Sequence, residues 1–308
     1  IGTLAAGQWE EIQATSPDVQ TGGTRAIFYR GSPNTDVIDY VNISTTGNAI
    51  DFGNALSSNR QAGATSSRTR LVALGRDTAS NVIEFVTIAS TGDGQALGDA
   101  TIARNGAPAA MSNGTRGIFA GGGDPNVTNS IEYITIAQTG NGVNFGDLTV
   151  AHSDGARAQS STRGIIVGGR TTPAPAKTNV IDYITMSTLG NGADFGDLTE
   201  AKNEPAGDSN SIRGIFAGGQ TPASDVIEYI TIATLGNAID FGDSLDAHQV
   251  SRGSASPTRF IYSVGASPAN TNAISYVQIM TTGNARDFGD LTTARSQAAS
   301  ASNGHGGL

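Results

Sequence analysis

The stretch TRGIFAGGG at residues 115–123 decides the fold, because it recurs along the chain in five other spellings. A strand with an acidic residue before an aromatic one follows nearly every copy, and FGDL or a close variant comes next. The arginines that open the six copies are Arg25, Arg70, Arg116, Arg163, Arg213 and Arg259. Five intervals separate the first from the last, so the mean period is about 47 residues. Periods of about 40–50 residues built from short strands are typical of β-propeller blades.

The third repeat predicts four strands. Small residues dominate 103–114, and 115–123 is apolar and ends in glycines. Residues 129–138 are apolar on both faces, which indicates a strand covered on both sides. The TGNG at 139–142 predicts a hairpin, and 143–151 is the fourth strand. Six such repeats predict an all-β, six-bladed propeller with four antiparallel strands per blade.

The large aromatic side chains fall at fixed places in the repeat, which predicts a packing role for them. One set lies in the third strand: Tyr40, Phe85, Tyr133, Tyr183, Tyr229 and Tyr276. The other lies in the fourth strand, with Leu97 standing in the second repeat: Phe52, Phe145, Phe195, Phe241 and Phe288. Ala, Ser and Gly fill the first strand, where neighbouring blades crowd around the axis.

The repeat pattern assigns residues 24–308 to one propeller. The segment at about 295–305 copies an inner strand, so we expect it to close the ring by completing the first blade. Residues 1–23, which contain Trp9, match the pattern poorly and are predicted to be an N-terminal arm or a strand added at the rim. In a competing arrangement, GQWEEI at residues 7–12 is a fourth strand.

Charge and composition exclude several classes of protein. The net charge of −9 argues against a partner rich in phosphate, so we expect no nucleic acid and no anionic membrane surface as partner. There is no cysteine, which excludes disulfides, thiolate zinc sites and cysteine nucleophiles. No apolar run is long enough to insert in a membrane.

The six repeated arginines allow two interpretations. As a ring near one mouth of the central channel, they would bind an anion. As structural struts, which we favour, each would pair with an aspartate near the adjacent hairpin. The candidate partners are Asp51, Asp194, Asp240 and Asp287.

A second basic series follows the fourth strand, on the opposite face from the first: Arg60, Arg104, His152, Lys202, His248 and Arg295. An acidic series opens the third strand on that same face, interrupted by Ser275: Asp39, Glu84, Glu132, Asp182 and Glu228. We expect these acids and bases to pair as surface salt bridges worth about 0–1 kcal/mol each. The two histidines then replace arginine or lysine and are not metal ligands.

No catalytic residue, metal ligand or cofactor is predicted. The aspartates of the FGD segments suggest calcium, but each repeat carries too few close carboxylates, so turn hydrogen bonds are the favoured role. The HGGL at 305–308 is predicted to be a tight turn. An alternative function, a polysaccharide hydrolase or lyase, predicts two carboxylates about 5–10 Å apart in the propeller mouth.

The loops between the second and third strands differ most among the repeats, and loops on a rigid scaffold often carry recognition. An equally open reading is that nothing constrains them. We call the surface on which these loops emerge the loop face. The candidate binding residues on it are Asp124, Pro125, Asn126, Arg170, Thr171, Thr172, Lys177, Gln220 and Thr221.

The repeats resemble the kelch repeat over nearly the whole chain. The shared features are glycines after the second strand, an aromatic residue in the third strand, an aromatic residue in the fourth strand and a basic residue after the fourth strand. Here Phe stands where kelch repeats usually have Trp, and the diglycine is altered at Arg30–Gly31, Gly75–Arg76 and Gly265–Ala266. A kelch propeller implies an interaction platform.

The amino-acid sequence of the repeats, together with the C-terminal SNGHGGL, also resembles the sequences of marine and cyanobacterial bacteriophage tail and fibre proteins. That resemblance implies a non-enzymatic virion structural protein, extracellular when assembled. Its implied partners are other virion proteins and a host-surface glycan, and it would oligomerise through particle symmetry. Capsid decoration or an architectural spacer is the alternative within this class.

Overall fold

The computed structural model describes residues 24–76, 78–123, 127–172, 176–220, 222–266 and 268–308. Within these ranges the chain forms 24 strands in six four-stranded antiparallel sheets, as predicted. Six sheets with short connections around an axis make a six-bladed propeller. The expected N-terminal arm at 1–23 lies outside the described residues. In the described part of the chain, no helix has the length and apolar character needed to cross a bilayer.

The blades follow one another along the chain, except that the last strand joins the first blade. Blade 1 contains β1 (Arg25–Gly31), β2 (Thr35–Asn42), β3 (Ile50–Asn59) and β24 (Ala299–Ser302). Blade 2 contains β4 (Gly63–Ser66), β5 (Arg70–Leu74), β6 (Ser80–Thr87) and β7 (Gln95–Arg104). Blade 3 contains β8 (Ala109–Ser112), β9 (Arg116–Ala120), β10 (Ser130–Thr135) and β11 (Val143–Asp147).

The second half of the ring repeats this order. Blade 4 contains β12 (Ala156–Gln159), β13 (Arg163–Val167), β14 (Thr178–Thr185) and β15 (Ala193–Lys202). Blade 5 contains β16 (Ala206–Ser209), β17 (Arg213–Ala217), β18 (Ser224–Thr231) and β19 (Ile239–His248). Blade 6 contains β20 (Arg252–Ala255), β21 (Arg259–Ser263), β22 (Ala273–Gln278) and β23 (Arg286–Asp290).

The ring closes through β24, which pairs antiparallel with β1 from Ala26 opposite Ser302 to Tyr29 opposite Ala299. The C-terminal segment therefore supplies the inner strand of blade 1, which is the closure that the repeat pattern predicts. All six inner strands are buried along their whole length. Small residues make up at least three of the four positions in five of them, because the blades converge there.

The repeated aromatics pack inside each blade, as predicted. In five blades the third-strand Tyr meets the fourth-strand Phe edge to face, with ring centroids 6.0–6.2 Å apart. Edge-to-face geometry places a positive ring edge against a negative ring face and is favoured over a parallel sandwich. Blade 2 has Phe85 and Leu97, both buried, in these places.

The hairpin between the third and fourth strands of each blade bonds to the fourth strand of the preceding blade. In blade 3, the Gly140 amide donates to the Leu97 carbonyl (2.9 Å), and the Asn141 side-chain oxygen accepts from the Asp99 amide (3.0 Å). The same backbone bond recurs at all six junctions, through Gly47, Gly92, Gly190, Gly236 and Gly283. The repeated Asn therefore joins two blades, a role beyond the hairpin turn that the sequence predicts.

The glycine of the FGD segment makes this approach possible. A methyl group built on Gly53 would lie 2.6 Å from the Gly92 carbonyl oxygen, and one on Gly242 would lie 2.6 Å from that of Gly283. Real side chains do not come this close to a carbonyl. The segment therefore recurs in the blades because it allows this close contact between them. At each junction the backbone amide of its aspartate, or of the residue in that place, donates to the side chain of the hairpin Asn or Asp of the next blade at 2.9–3.2 Å.

Candidate functional site

The six repeated arginines join neighbouring blades. Each guanidinium carbon lies 4.5–4.9 Å from the centre of the third-strand aromatic ring in its own blade. Each Nη1 also donates to a backbone carbonyl at the end of the third strand of the next blade, at 2.6–3.3 Å. The arginines Arg25, Arg70, Arg116, Arg163, Arg213 and Arg259 are thus struts arranged head to tail around the ring.

The expected partners of these struts were wrong. Among the described residues, no ion pair joins them to Asp51, Asp194, Asp240 or Asp287. A carbonyl oxygen and an aromatic face satisfy the guanidinium instead, because the strand ends of the next blade lie closer than the hairpin carboxylates. The ring also lies between blades, away from the channel mouth where the sequence suggested it.

The second basic series pairs with the acidic series across blade junctions. Arg104 Nη2 lies 2.8 Å from Glu132 Oε1, Lys202 Nζ 2.8 Å from Glu228 Oε2, and Arg295 Nη2 2.9 Å from Asp39 Oδ2. In every pair the base belongs to one blade and the acid to the next. All six side chains are at most 2% exposed, so the expectation of surface salt bridges is wrong. The blades cover these pairs on both sides.

The other junctions depart from this pattern. In blade 1, Asn59 occupies the position opposite the third strand that Lys202 occupies in blade 4, and Arg60 follows one residue later. Glu84 instead pairs with Arg30 of blade 1 and with Arg76 Nη2 at 2.7 Å. At the remaining two junctions the bases are His152 and His248, both buried. Burial lowers the pKa of each to about 4, so both rings are neutral near pH 7.

The described candidates on the loop face lie at the ends of second strands and in the loops that follow. Arg170 pairs through its backbone with Ser153 and with Lys177, and its side chain is 42% exposed. The Thr171 amide donates to the Ala176 carbonyl (2.9 Å), which holds that loop closed, and Thr172 is exposed. Gln220 accepts from the Asn203 side chain at 2.9 Å. Asp124, Pro125, Asn126 and Thr221 lie outside the described residues.

A ring of six residues, four of them with polar side chains, surrounds the axis on the same face. It consists of the left-handed residue that precedes each inner strand: Gln61, Gly106, Asp154, Glu204, Val250 and Gln297. Gln297 in blade 1 donates to Glu204 in blade 5 at 3.1 Å, which reaches past blade 6 and across the mouth of the channel. Asp154 accepts from the Ala107 amide (2.8 Å) and the Ser153 hydroxyl (2.9 Å). We call this set the axial ring.

Glu204 is the most perturbed carboxyl of the axial ring. Its Oε2 is buried and has no hydrogen-bond partner. Its pKa is raised to about 7, chiefly by burial and also by the negative charge of Asp154, while Arg252, Gln297 and Arg170 oppose this rise. A buried carboxyl group that titrates near neutral pH has the protonation behaviour of a ligand-binding or acid–base group.

Arg170 connects the axial ring to the variable loops. Its Nη2 lies 3.8 Å from Asp154 Oδ2 and 3.4 Å from the Ser153 hydroxyl. Arg170 is therefore the candidate residue that the structure brings beside Asp154 and Glu204. Gln220 joins the same surface through Asn203, which immediately precedes Glu204. Lys177, on the other side of Arg170, completes a continuous polar surface.

Below the axial ring the channel is filled. Arg157 of blade 4 donates to the Ser300 carbonyl of blade 1 at 2.6 Å, so it spans the ring between opposite blades. Burial raises the pKa of Asp208, 3.7 Å from Arg157, to about 6, while the guanidinium lowers it. Arg157 and its partners therefore close the channel beneath the axial ring.

The C-terminal residues fill the opposite end of the channel. His305 Nε2 lies 3.0 Å from the Ser66 carbonyl and 3.2 Å from the Ser112 hydroxyl, and the Gly306 amide donates to the Ser209 carbonyl at 2.8 Å. A methyl group on Gly306 or Gly307 would overlap a neighbouring backbone carbonyl. The predicted tight turn is present, and it contacts blades 2, 3 and 5.

We expect Glu204→Gln to stabilise the protein more at pH 8 than at pH 5. The pKa of Glu204 is above its unfolded value, so its proton is favoured in the fold. The stability that protonated Glu204 contributes is fully present below about pH 4.5 and is lost as the pH rises towards 7. Glutamine does not titrate, so the variant should not lose this stability. Its advantage in unfolding free energy over the unaltered chain should be about 2 kcal/mol larger at pH 8 than at pH 5. Urea denaturation at both pH values measures it.

Glu200→Gln is the control, because the Glu200 side chain is 54% exposed and lies in β15, four residues before Glu204. It removes the same charge from a solvated position. Equal responses of the two variants to pH would contradict the assignment of Glu204.

The axial ring does not form a metal centre by itself. In the described ranges, no group of three or more His, Asp or Glu side chains is placed to hold a metal ion. The FGD aspartates are spread over the six junctions rather than gathered together. The ring gathers two carboxyl groups and two amides near the guanidinium groups of Arg170 and Arg252, and Asp154, Glu204 and Arg252 are buried.

Sequence reasoning named Arg170 and Gln220 as candidates, which the structure places beside the axial ring, but it did not predict the axial ring itself. A signal for it exists, because the three residues after the second basic series, with the position of the axial ring in the middle, differ among the repeats: NGA at 105–107, SDG at 153–155, NEP at 203–205, QVS at 249–251 and SQA at 296–298. Variation at a fixed place in a repeat indicates a residue that the blade itself does not require. What the sequence hides is that this position faces the axis.

Comparison with known proteins gives no matching family model, and no curated protein matches the chain.

Proposed function

We propose that this chain is a non-enzymatic binding module whose loop face and axial ring contact another protein or a glycan. One observation carries the proposal. The residues that recur in all or most blades are used in contacts between and within blades, whereas those that differ gather on a single polar face. A rigid scaffold that presents variable groups on one face suits recognition.

The finer proposal is a kelch-like propeller of a bacteriophage virion, in a tail or fibre and extracellular when assembled. The likeness of its repeats to such proteins supports it. Other virion proteins or a host-surface glycan would be the partners, and particle symmetry would bring several copies together. Arg170 and the carboxyl groups of the axial ring have the chemistry to bind sugar hydroxyls or a charged peptide.

We expect the double variant Arg170→Glu and Lys177→Glu to weaken binding to a host surface or glycan array about tenfold or more. Both side chains lie on the loop face, and charge reversal at a central contact typically costs at least that factor. The isolated chain is tested on immobilised host cells, glycans and virion proteins in parallel.

Arg286→Glu is the matched control, because Arg286 is exposed at the start of β23, on the side of the third-to-fourth-strand hairpins. Binding that survives the double variant but not the control would overturn the assignment of the loop face. Assembly into particles without any host or glycan binding would favour capsid decoration or an architectural spacer.

A polysaccharide hydrolase or lyase is the second candidate, favoured by Asp154 and Glu204 at the propeller mouth. Glycoside hydrolysis uses a pair of carboxyl groups, and the raised pKa of Glu204 suits the general acid of such a pair. Polysaccharide turnover that Glu204→Gln and Asp154→Asn both abolish, with the fold intact, would establish this activity and refute the non-enzymatic proposal.

A further inference from the structure

A carboxylate lies between blades at five of the six junctions. Each comes from the third strand of one blade and accepts from a backbone amide in the fourth strand of the preceding blade or just after that strand, at 2.7–3.2 Å. The acids are Asp39, Glu84, Glu132, Asp182 and Glu228, and the amides are those of Thr292, Leu56, Thr101, Thr149 and Thr199. This acceptor is part of how two blades are joined.

The junction between blades 5 and 6 has no such acid. Ser275 is opposite Tyr262 in the strand register, as Glu228 is opposite Phe216 one blade earlier. Leu245 has the place of Thr199 in the fourth strand. A cavity of about 120 Å³ lies here, lined among others by Ser275, Leu245, Tyr262 and His248. It has room for a ligand of a few non-hydrogen atoms.

A chain of hydrogen bonds fixes the polar wall of this cavity. The Ser251 hydroxyl donates to the Val264 carbonyl (2.8 Å), so it accepts from His248 Nδ1 (2.6 Å). His248 Nε2 then accepts from the Ser244 hydroxyl (3.0 Å), and Tyr262 donates to the Ser244 oxygen (2.9 Å). The ring is therefore neutral and held in one orientation.

We propose that the cavity between blades 5 and 6 binds a small free carboxylate, such as formate or acetate, in the place that a side-chain carboxylate has at the other junctions. The Leu245 amide has the register of the five amides that donate to those carboxylates, and the Ser275 hydroxyl lies in the same wall. Asp246 and Asp287 also line the cavity and oppose an anion, so the affinity is modest. This site is independent of the proposed binding on the loop face.

The ligand has a specific effect on His248. The pKa of this ring is lowered to about 4, chiefly by burial and also by the charge of Lys202, while Asp225 opposes this lowering. A carboxylate in the cavity adds a negative charge beside the ring and raises its pKa. Asp246, Asp287 and Tyr262 line the same cavity. Their effect on the His248 pKa is the same whichever ligand is added, so it does not alter the comparison between ligands.

The experiment is a titration of the whole chain with sodium acetate against sodium chloride at equal ionic strength, followed by NMR of the His248 imidazole. We expect saturable shifts with acetate and not with chloride, a dissociation constant on the order of 1–10 mM for so small a ligand, and a higher His248 pKa at saturation. Formate should act like acetate. A glutamate-containing peptide should not, because its backbone does not fit the cavity.

Two variants make the test specific. Ser275→Glu restores the side chain of the repeat and should abolish the response to acetate. Asp182→Ser removes the acid at the junction that contains His152, and should create a second response, read on the His152 imidazole. A response to acetate that persists in Ser275→Glu, or equal shifts with acetate and chloride in the unaltered chain, would overturn the proposal. The comparison in the unaltered chain decides even where a variant does not fold.

Discussion

Replacing Glu132 with alanine is expected to lower the free energy of unfolding by about 3–5 kcal/mol. Glu132 accepts from Arg104 Nη2 (2.8 Å) and Nε (3.0 Å), and from the Thr101 amide (2.7 Å) and hydroxyl (2.8 Å). Neither side chain of the ion pair is exposed. Without Glu132 the guanidinium stays buried without its counter-charge, and the junction between blades 2 and 3 loses its acceptor. Urea denaturation at pH 7 measures the loss.

Glu200→Ala is the control for this variant. Glu200 lies 3.9 Å from Lys202 but is more than half exposed, so its removal should cost at most about 1 kcal/mol. The double variant Arg104→Met with Glu132→Leu should recover most of the loss, because two apolar side chains leave no buried charge. Should Glu132→Ala cost no more than Glu200→Ala, the pair would be solvated, contrary to its burial.

Replacing Gly98 with alanine is expected to cost about 3 kcal/mol. A methyl group on Gly98 would overlap the carbonyl of Gly140, which belongs to the hairpin that blade 3 lays against β7. To make room, the hairpin must move away and give up the bond from the Gly140 amide to Leu97 and the bond from the Asp99 amide to Asn141. The midpoint of thermal or urea denaturation reports the cost.

Gly140→Ala separates this clash from backbone strain. Gly140 has a φ of +159°, and nothing lies within 4 Å of a methyl group there, so strain alone should cost about 1 kcal/mol. Equal losses in the two variants would show that the hairpin moves aside freely and that the close approach of blades 2 and 3 contributes little to stability.

The sequence predicted the blade well because every element of the blade is repeated. The Tyr–Phe pair, the small inner strand and the glycine at the strand end each have a fixed place within one repeat. The partners of Arg104 and Arg116 were not predictable in the same way. A repeat gives the position of a residue within its blade, but not which residues of the next blade face it, nor how deeply the junction is buried.

The candidate site shows the same limit. Arg170 and Gln220 stand in loops that visibly differ among the repeats, so sequence comparison of the blades named them as candidates. Asp154 and Glu204 sit in a short connection that also differs among the repeats, and only the geometry shows that their position faces the axis. His305 could be predicted to lie in a turn, but its contacts with Ser66 and Ser112 depend on residues about 190–240 positions earlier.

The pairing of β24 with β1 also has a kinetic consequence. Five blades consist of contiguous chain, so their hairpins can form from local contacts in any order. Blade 1 is different, because its inner strand is more than 250 residues away from β1 in the sequence. Joining such distant segments carries a large loop-closure entropy and is slow. We therefore expect ring closure to be the last and rate-limiting step of folding, with β1 an unpaired edge open to other strands until then.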